Sequence, residues 1–142
     1  MTAPARMMRI MQFTFVFAGL MVIYLAWKLP VQSTAHVGSN FEVIVCLLAI
    51  SNLMLGLGAR RFFGRMASSR VTPAATPLKR WRVGNLLSLA FIYAALLFGF
   101  VLRVLGGHAI VYEILLTAAM ACLLLWSPGK PPDAEPGDAI AR

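Results

Sequence analysis

Four apolar runs divide this chain, each longer and less interrupted than a water-facing helix or strand allows. Ile10 to Trp27 and Val83 to Leu102 carry no charge, Phe41 to Ala59 carries Glu42 near its start, and Ala109 to Trp126 carries only Glu113. About 20 apolar residues in a helix cross the roughly 30 Å of bilayer hydrocarbon. With their flanks, the runs therefore predict membrane spans over residues 10–29, 41–59, 83–103 and 109–126. The expected fold class is all-α: a polytopic membrane protein whose four transmembrane helices form two helical hairpins.

The polar positions mark what lies between. Residues 1–9 precede the first span, and Pro30 ends it before a short loop of Ser, Thr, Gly and Asn. Residues 60–82 form the central loop, where Pro73 and Pro77 and the Ser68-Ser69 pair argue against one continuous helix. Gly106-Gly107 makes the second turn, and residues 127–142, with four prolines, read as a disordered tail.

Spacing within the runs assigns faces. Gln12, Val16, Gly19, Ile23 and Ala26 share one face of the first helix; Glu42, Cys46, Ala49, Leu53 and Gly56 share one face of the second. In the third, Gly84, Ser88, Ala95 and Gly99 form a small-residue stripe that permits close approach of another helix. Ser51 and Asn52 fall at mid-span and are expected to hydrogen-bond to a neighbouring helix or, for Ser51, to their own backbone.

Composition strengthens this reading. The 142 residues are 60% apolar and 13% charged, against about 45 to 50% and about 25% in soluble domains. The net charge of +8 matters through its position. Arg60, Arg61, Arg65, Arg70, Lys79, Arg80 and Arg82 crowd the central loop with no acidic residue among them. Arg6 and Arg9 before the first span and Lys130 and Arg142 after the last fall on the same side, leaving Lys28 and Arg103 opposite. Short loops rich in Lys and Arg stay in the cytoplasm, so both termini are expected inside. Arg60, Arg61, Arg65, Arg80 and Arg82, beside Phe62 and Phe63, are candidates for anionic lipid headgroups; a solvated loop that only sets topology is the alternative. No nucleic-acid partner is expected, because the basic residues flank membrane segments and no binding motif is present.

The first run also admits a cleaved signal peptide, with Ser33-Thr34-Ala35 as the processing site, although it is longer than the usual apolar core. Cys46 and Cys122 form no C-x-x-C pair and are expected to be core residues at different depths.

Ionisable groups near the bilayer default to functional candidates. Lys28, Glu42, Arg103 and Glu113 gather at the outer end, where the short turns suggest Glu42 with Lys28 and Glu113 with Arg103. The two hairpins match in four features (Lys28 with Arg103, His36 with His108, Phe41 with Tyr112, Glu42 with Glu113), an apparent internal repeat. Three readings stay open: ion pairs that lock each hairpin, an outward polar cavity for a small ligand, and a metal site of His36, His108, Glu42 and Glu113, ligands suited to zinc or iron. No spacing places two metal ligands on one helix, so no cofactor is assigned.

Phe41-Glu42, the run Leu55-Gly56-Leu57-Gly58-Ala59-Arg60, and Phe100 to Gly107 before a Glu-bearing last helix resemble the DoxX-like and related small four-helix bacterial membrane proteins of unknown function. The resemblance spans roughly Phe41 to Trp126. It implies an inner-membrane four-helix bundle and no agreed activity. The expected function is a non-catalytic accessory or ligand- and lipid-binding membrane protein, alone or with a homo-oligomeric or complex partner. A small transporter, and an outer-face metal-dependent enzyme using the His and Glu residues, are the alternatives.

Overall fold

The computed structural model describes residues 3–30, 38–68 and 77–129. They form four helices and no strand: α1 (Ala3–Lys28), α2 (Ser39–Ser68), α3 (Pro77–Val104) and α4 (Ala109–Leu125). The first three are long and apolar enough to cross a membrane. α4 is equally apolar, but its 17 residues reach only about 26 Å at about 1.5 Å per residue.

Local chemistry sets the ends. α1 stops at Lys28 because Pro30 restrains the residue before it. α3 starts on Pro77, whose missing N–H and fixed φ suit a first helical turn. α1 and α2 both overrun their apolar runs, α1 by starting at Ala3 and α2 by continuing to Ser68. Neither overrun contains an interior proline after Pro4, so nothing stops the helix where the apolar run does. Residues 60–68 therefore extend α2 and residues 77–82 open α3, although both stretches were expected in the basic loop.

α3 is the hub. It packs against α1, α2 and α4, α4 also packs against α1, and α1 and α2 do not touch among the described residues. Sequence neighbours α1 and α2 were expected to pair as a hairpin; α3 stands between them instead. Leu89, Ile92, Ala95, Leu96 and Leu102 of α3 are wholly buried, with Ala49 of α2 and Ala119 and Leu123 of α4. The expected stripe of Gly84, Ser88, Ala95 and Gly99 is buried along its length. At Gly56 the α2 backbone lies so close to α3 that a Cβ would stand 3.1 Å from the Ser88 carbonyl oxygen and 2.9 Å from Ile92 Cγ1. The Ser88 hydroxyl uses this proximity, donating to the Gly56 carbonyl at 2.6 Å while accepting from the Trp126 indole at 3.2 Å.

The opposite faces carry large apolar side chains outward. Phe13, Phe17, Tyr24 and Trp27 of α1, Leu47, Ile50 and Met54 of α2, and Ile110, Ile114 and Leu125 of α4 are all exposed. A water-soluble bundle would leave no such belt uncovered. Asn52 bonds the Leu48 carbonyl of its own helix at 2.8 Å, and Ser51 is exposed. Cys46 and Cys122 are free and half-buried, packed against the core instead of fully enclosed in it.

Candidate functional site

Two polar clusters sit at opposite ends of the bundle. The first is built by the turn between α3 and α4. Gly106 adopts φ 81°, a conformation open to glycine. Its N–H bonds the Arg103 carbonyl at 3.1 Å, and the Gly107 N–H bonds the Leu102 carbonyl at 2.8 Å. This paired pattern closes a helix on its own last carbonyls. It delivers His108 directly to the amino end of α4, where its carbonyl accepts from Val111 at 3.0 Å and Tyr112 at 3.3 Å.

Glu42 meets that helix start. Its Oε1 accepts the His108 backbone N–H at 2.9 Å, and its Oε2 lies 2.8 Å from His108 Nδ1. A carboxylate only accepts, so the imidazole proton sits on Nδ1. The Glu42 side chain is 10% exposed and that of His108 is 83% exposed. A buried carboxylate at a helix amino end is favoured by the unpaired N–H groups and the helix dipole. The bond ties α2 to α4, helices that otherwise hardly meet.

Arg103, at the last turn of α3, ties α1 to α4. Its Nε donates to the Ala26 carbonyl, its Nη1 donates to the Tyr112 hydroxyl at 2.9 Å, and its guanidinium lies 5.1 Å from the Trp27 ring and 5.2 Å from the Tyr112 ring. A planar fork with five donors can serve a carbonyl, a hydroxyl and two ring faces together.

Partners therefore differ from those suggested by spacing. Glu42 pairs with His108 and not Lys28, whose Nζ lies 5.8 Å from its own helix's Tyr24 ring. Arg103 engages Tyr112, one residue before Glu113. Glu113 is exposed and lines a groove of about 520 Å³ with Trp27, Ile23, Thr117 and Met120, between α1 and α4. Of the four candidate metal ligands, Glu42 and His108 come together, Glu113 stands apart, and His36 lies outside the described residues. Among the described residues no three His, Cys, Asp or Glu side chains gather to hold a metal.

The second cluster lies at the other end. Gln12, 5% exposed in α1, donates to the Leu123 and Trp126 carbonyls at 2.9 and 2.7 Å, satisfying the last turn of α4. Arg9 Nη1 holds Gln12 Oε1 at 3.2 Å, and its Nη2 reaches Ser127 Oγ at 3.5 Å. Beside it, a groove of about 820 Å³ opens between α2 and α4, with Ser88 at its floor and Arg61 at its edge. Of the other headgroup candidates, Arg82 is exposed and Arg80 half-buried, while the side chains of Arg60 and Arg65 lie outside the described part.

Gln12 and Ser88 sat on faces recognised from spacing, but their partner, the end of α4, carried no signal beyond Trp126. The chain matches no family model, no curated protein and no solved structure.

Proposed function

We propose that this chain is a multi-pass protein of a bacterial inner membrane, crossing it four times with both termini cytoplasmic, and that it acts without catalysis of its own as an accessory, lipid-binding bundle. The reading rests on one observation above others: the polar groups best placed for chemistry are committed to joining helices. Both Glu42 oxygens are engaged by His108, and the Arg103 fork is spread over Ala26, Tyr112 and Trp27. The exposed apolar belt supports immersion in lipid, and α4 crosses if the bilayer thins slightly around it. The resemblance to DoxX-like proteins is compatible with this role and adds no activity to it.

Elemental analysis with native mass spectrometry of the detergent-purified protein tests it. Protein mass plus bound lipid, without metal, is the expected result; one zinc or iron per chain contradicts it.

One observation favours a second reading, a small oligomeric transporter. Glu113 exposes its carboxylate about one turn into α4, beside the Trp27 groove, and a membrane carboxylate is costly without a task. Glu113→Gln abolishing transport with assembly intact would favour it.

A further inference from the structure

We propose that the groove between α2 and α4 binds one anionic phospholipid, its phosphate on the Arg61 guanidinium and an acyl chain along Met54, Leu57 and Leu125. This gives a place and a charge to the lipid binding proposed above, and rests on it.

α2 and α4 are joined by Glu42 and His108 at one end and stand apart at the other, where the groove opens. Its volume of about 820 Å³ falls within the roughly 300 to 1,000 Å³ of ligand-binding pockets. Met54 to Arg61 runs about 10 Å along α2, enough for part of an acyl chain. The floor asks nothing polar of an occupant: the Trp126 N–H is given to Ser88, and the Ser88 hydroxyl is given to the Gly56 carbonyl. Met54 is 66% and Leu125 84% exposed, so the apolar lips face outward, where hydrocarbon would fill the space between them.

Hydrocarbon lies equally well against Leu or another lipid tail, so the walls hold a chain without selecting its owner. Selection comes from charge. Arg61 stands at the groove's edge, Arg9 reaches Ser127 on the same rim, and among the described residues no acidic side chain lines the groove. A guanidinium binds the phosphate of either lipid through two parallel N–H bonds, but a zwitterionic headgroup also carries a quaternary ammonium that the Arg61 and Arg9 charges repel, which favours the anionic headgroup.

The test is native mass spectrometry of protein equilibrated in micelles containing equal phosphatidylglycerol and phosphatidylcholine. Wild type should retain one phosphatidylglycerol in preference. Arg61→Gln should lower that preference by roughly five-fold, Lys79→Gln, at an exposed cation outside the groove, should leave it unchanged, and Leu57→Trp should displace both lipids. Equal losses in Arg61→Gln and Lys79→Gln, or full retention by Leu57→Trp, would overturn the site while leaving lipid binding standing. Wild type that retains no lipid of either kind would remove the lipid-binding reading itself, and the site with it.

Discussion

Glu42 holds His108 twice, once through the backbone N–H and once through the ring, and it is the backbone contact that the histidine side chain cannot take away. The two ends of this bridge should therefore respond unequally to truncation. Glu42→Ala strands a helix-start N–H and removes both bonds, for a loss of about 1 to 3 kcal/mol. His108→Ala keeps the backbone bond and loses an exposed ring contact, for no more than about 1 kcal/mol. Thermal unfolding in detergent should rank wild type, His108→Ala, Glu42→Ala in falling order; equal losses would mean the ring carries the joint.

Arg103 performs several contacts with one planar group. Lysine keeps the charge but has no fork to reach the Ala26 carbonyl and the Tyr112 hydroxyl together. Arg103→Lys should thus cost nearly as much as Arg103→Gln, with interhelical bonds in membranes worth about 0.6 kcal/mol on average and up to about 1.7. Wild-type melting of Arg103→Lys would show that charge alone suffices.

Gly56 and Gly58 share α2 and differ in surroundings. A side chain at Gly56 meets Ile92 and the Ser88 carbonyl, whereas one at Gly58 meets nothing within 4 Å. Gly56→Val should push α2 from α3, break the Ser88 bond and cost about 1 to 3 kcal/mol as an overpacked contact; Gly58→Val should melt like wild type. Ser88→Ala should show a smaller loss through the orphaned Trp126 N–H.

Asn85 is 2% exposed. Its Nδ2 bonds the Trp81 carbonyl at 2.9 Å, but its buried Oδ1 has no partner among the described residues. An unpaired buried carbonyl costs about 1 to 3 kcal/mol, so Asn85→Leu should raise the melting temperature. A fall instead would mean that Oδ1 is served by something that binds there.

Much of this bundle was legible in residue spacing, and the exceptions have one cause. Gln12, Gly19 and Ala26 of α1, Glu42, Ala49 and Gly56 of α2, and the α3 stripe are buried as their periods of three and four required, because a membrane helix turns its small and polar residues toward protein. The limits of α4 matched within a residue, since Gly107 and Pro128 bracket it. Partner choice failed because spacing within a helix says which face is buried, not which helix covers it. Placing Lys28 beside Glu42 assumed that consecutive helices pack. α3, with the most small residues along one stripe, accepts three neighbours and separates α1 from α2. The residue that starts α4 then supplies the donors to Glu42, and backbone N–H groups have no signature in the sequence.

The central claim is that the Glu42 end of the bundle lies outside and the Arg61 end inside. In a background with Cys46→Ala and Cys122→Ala, single substitutions Lys28→Cys and Lys79→Cys place one thiol at each end, both at exposed positions. A membrane-impermeant maleimide added to intact spheroplasts should label Lys28→Cys at once and Lys79→Cys only after permeabilisation. Labelling of Lys79→Cys in intact spheroplasts, with Lys28→Cys protected, would contradict the account.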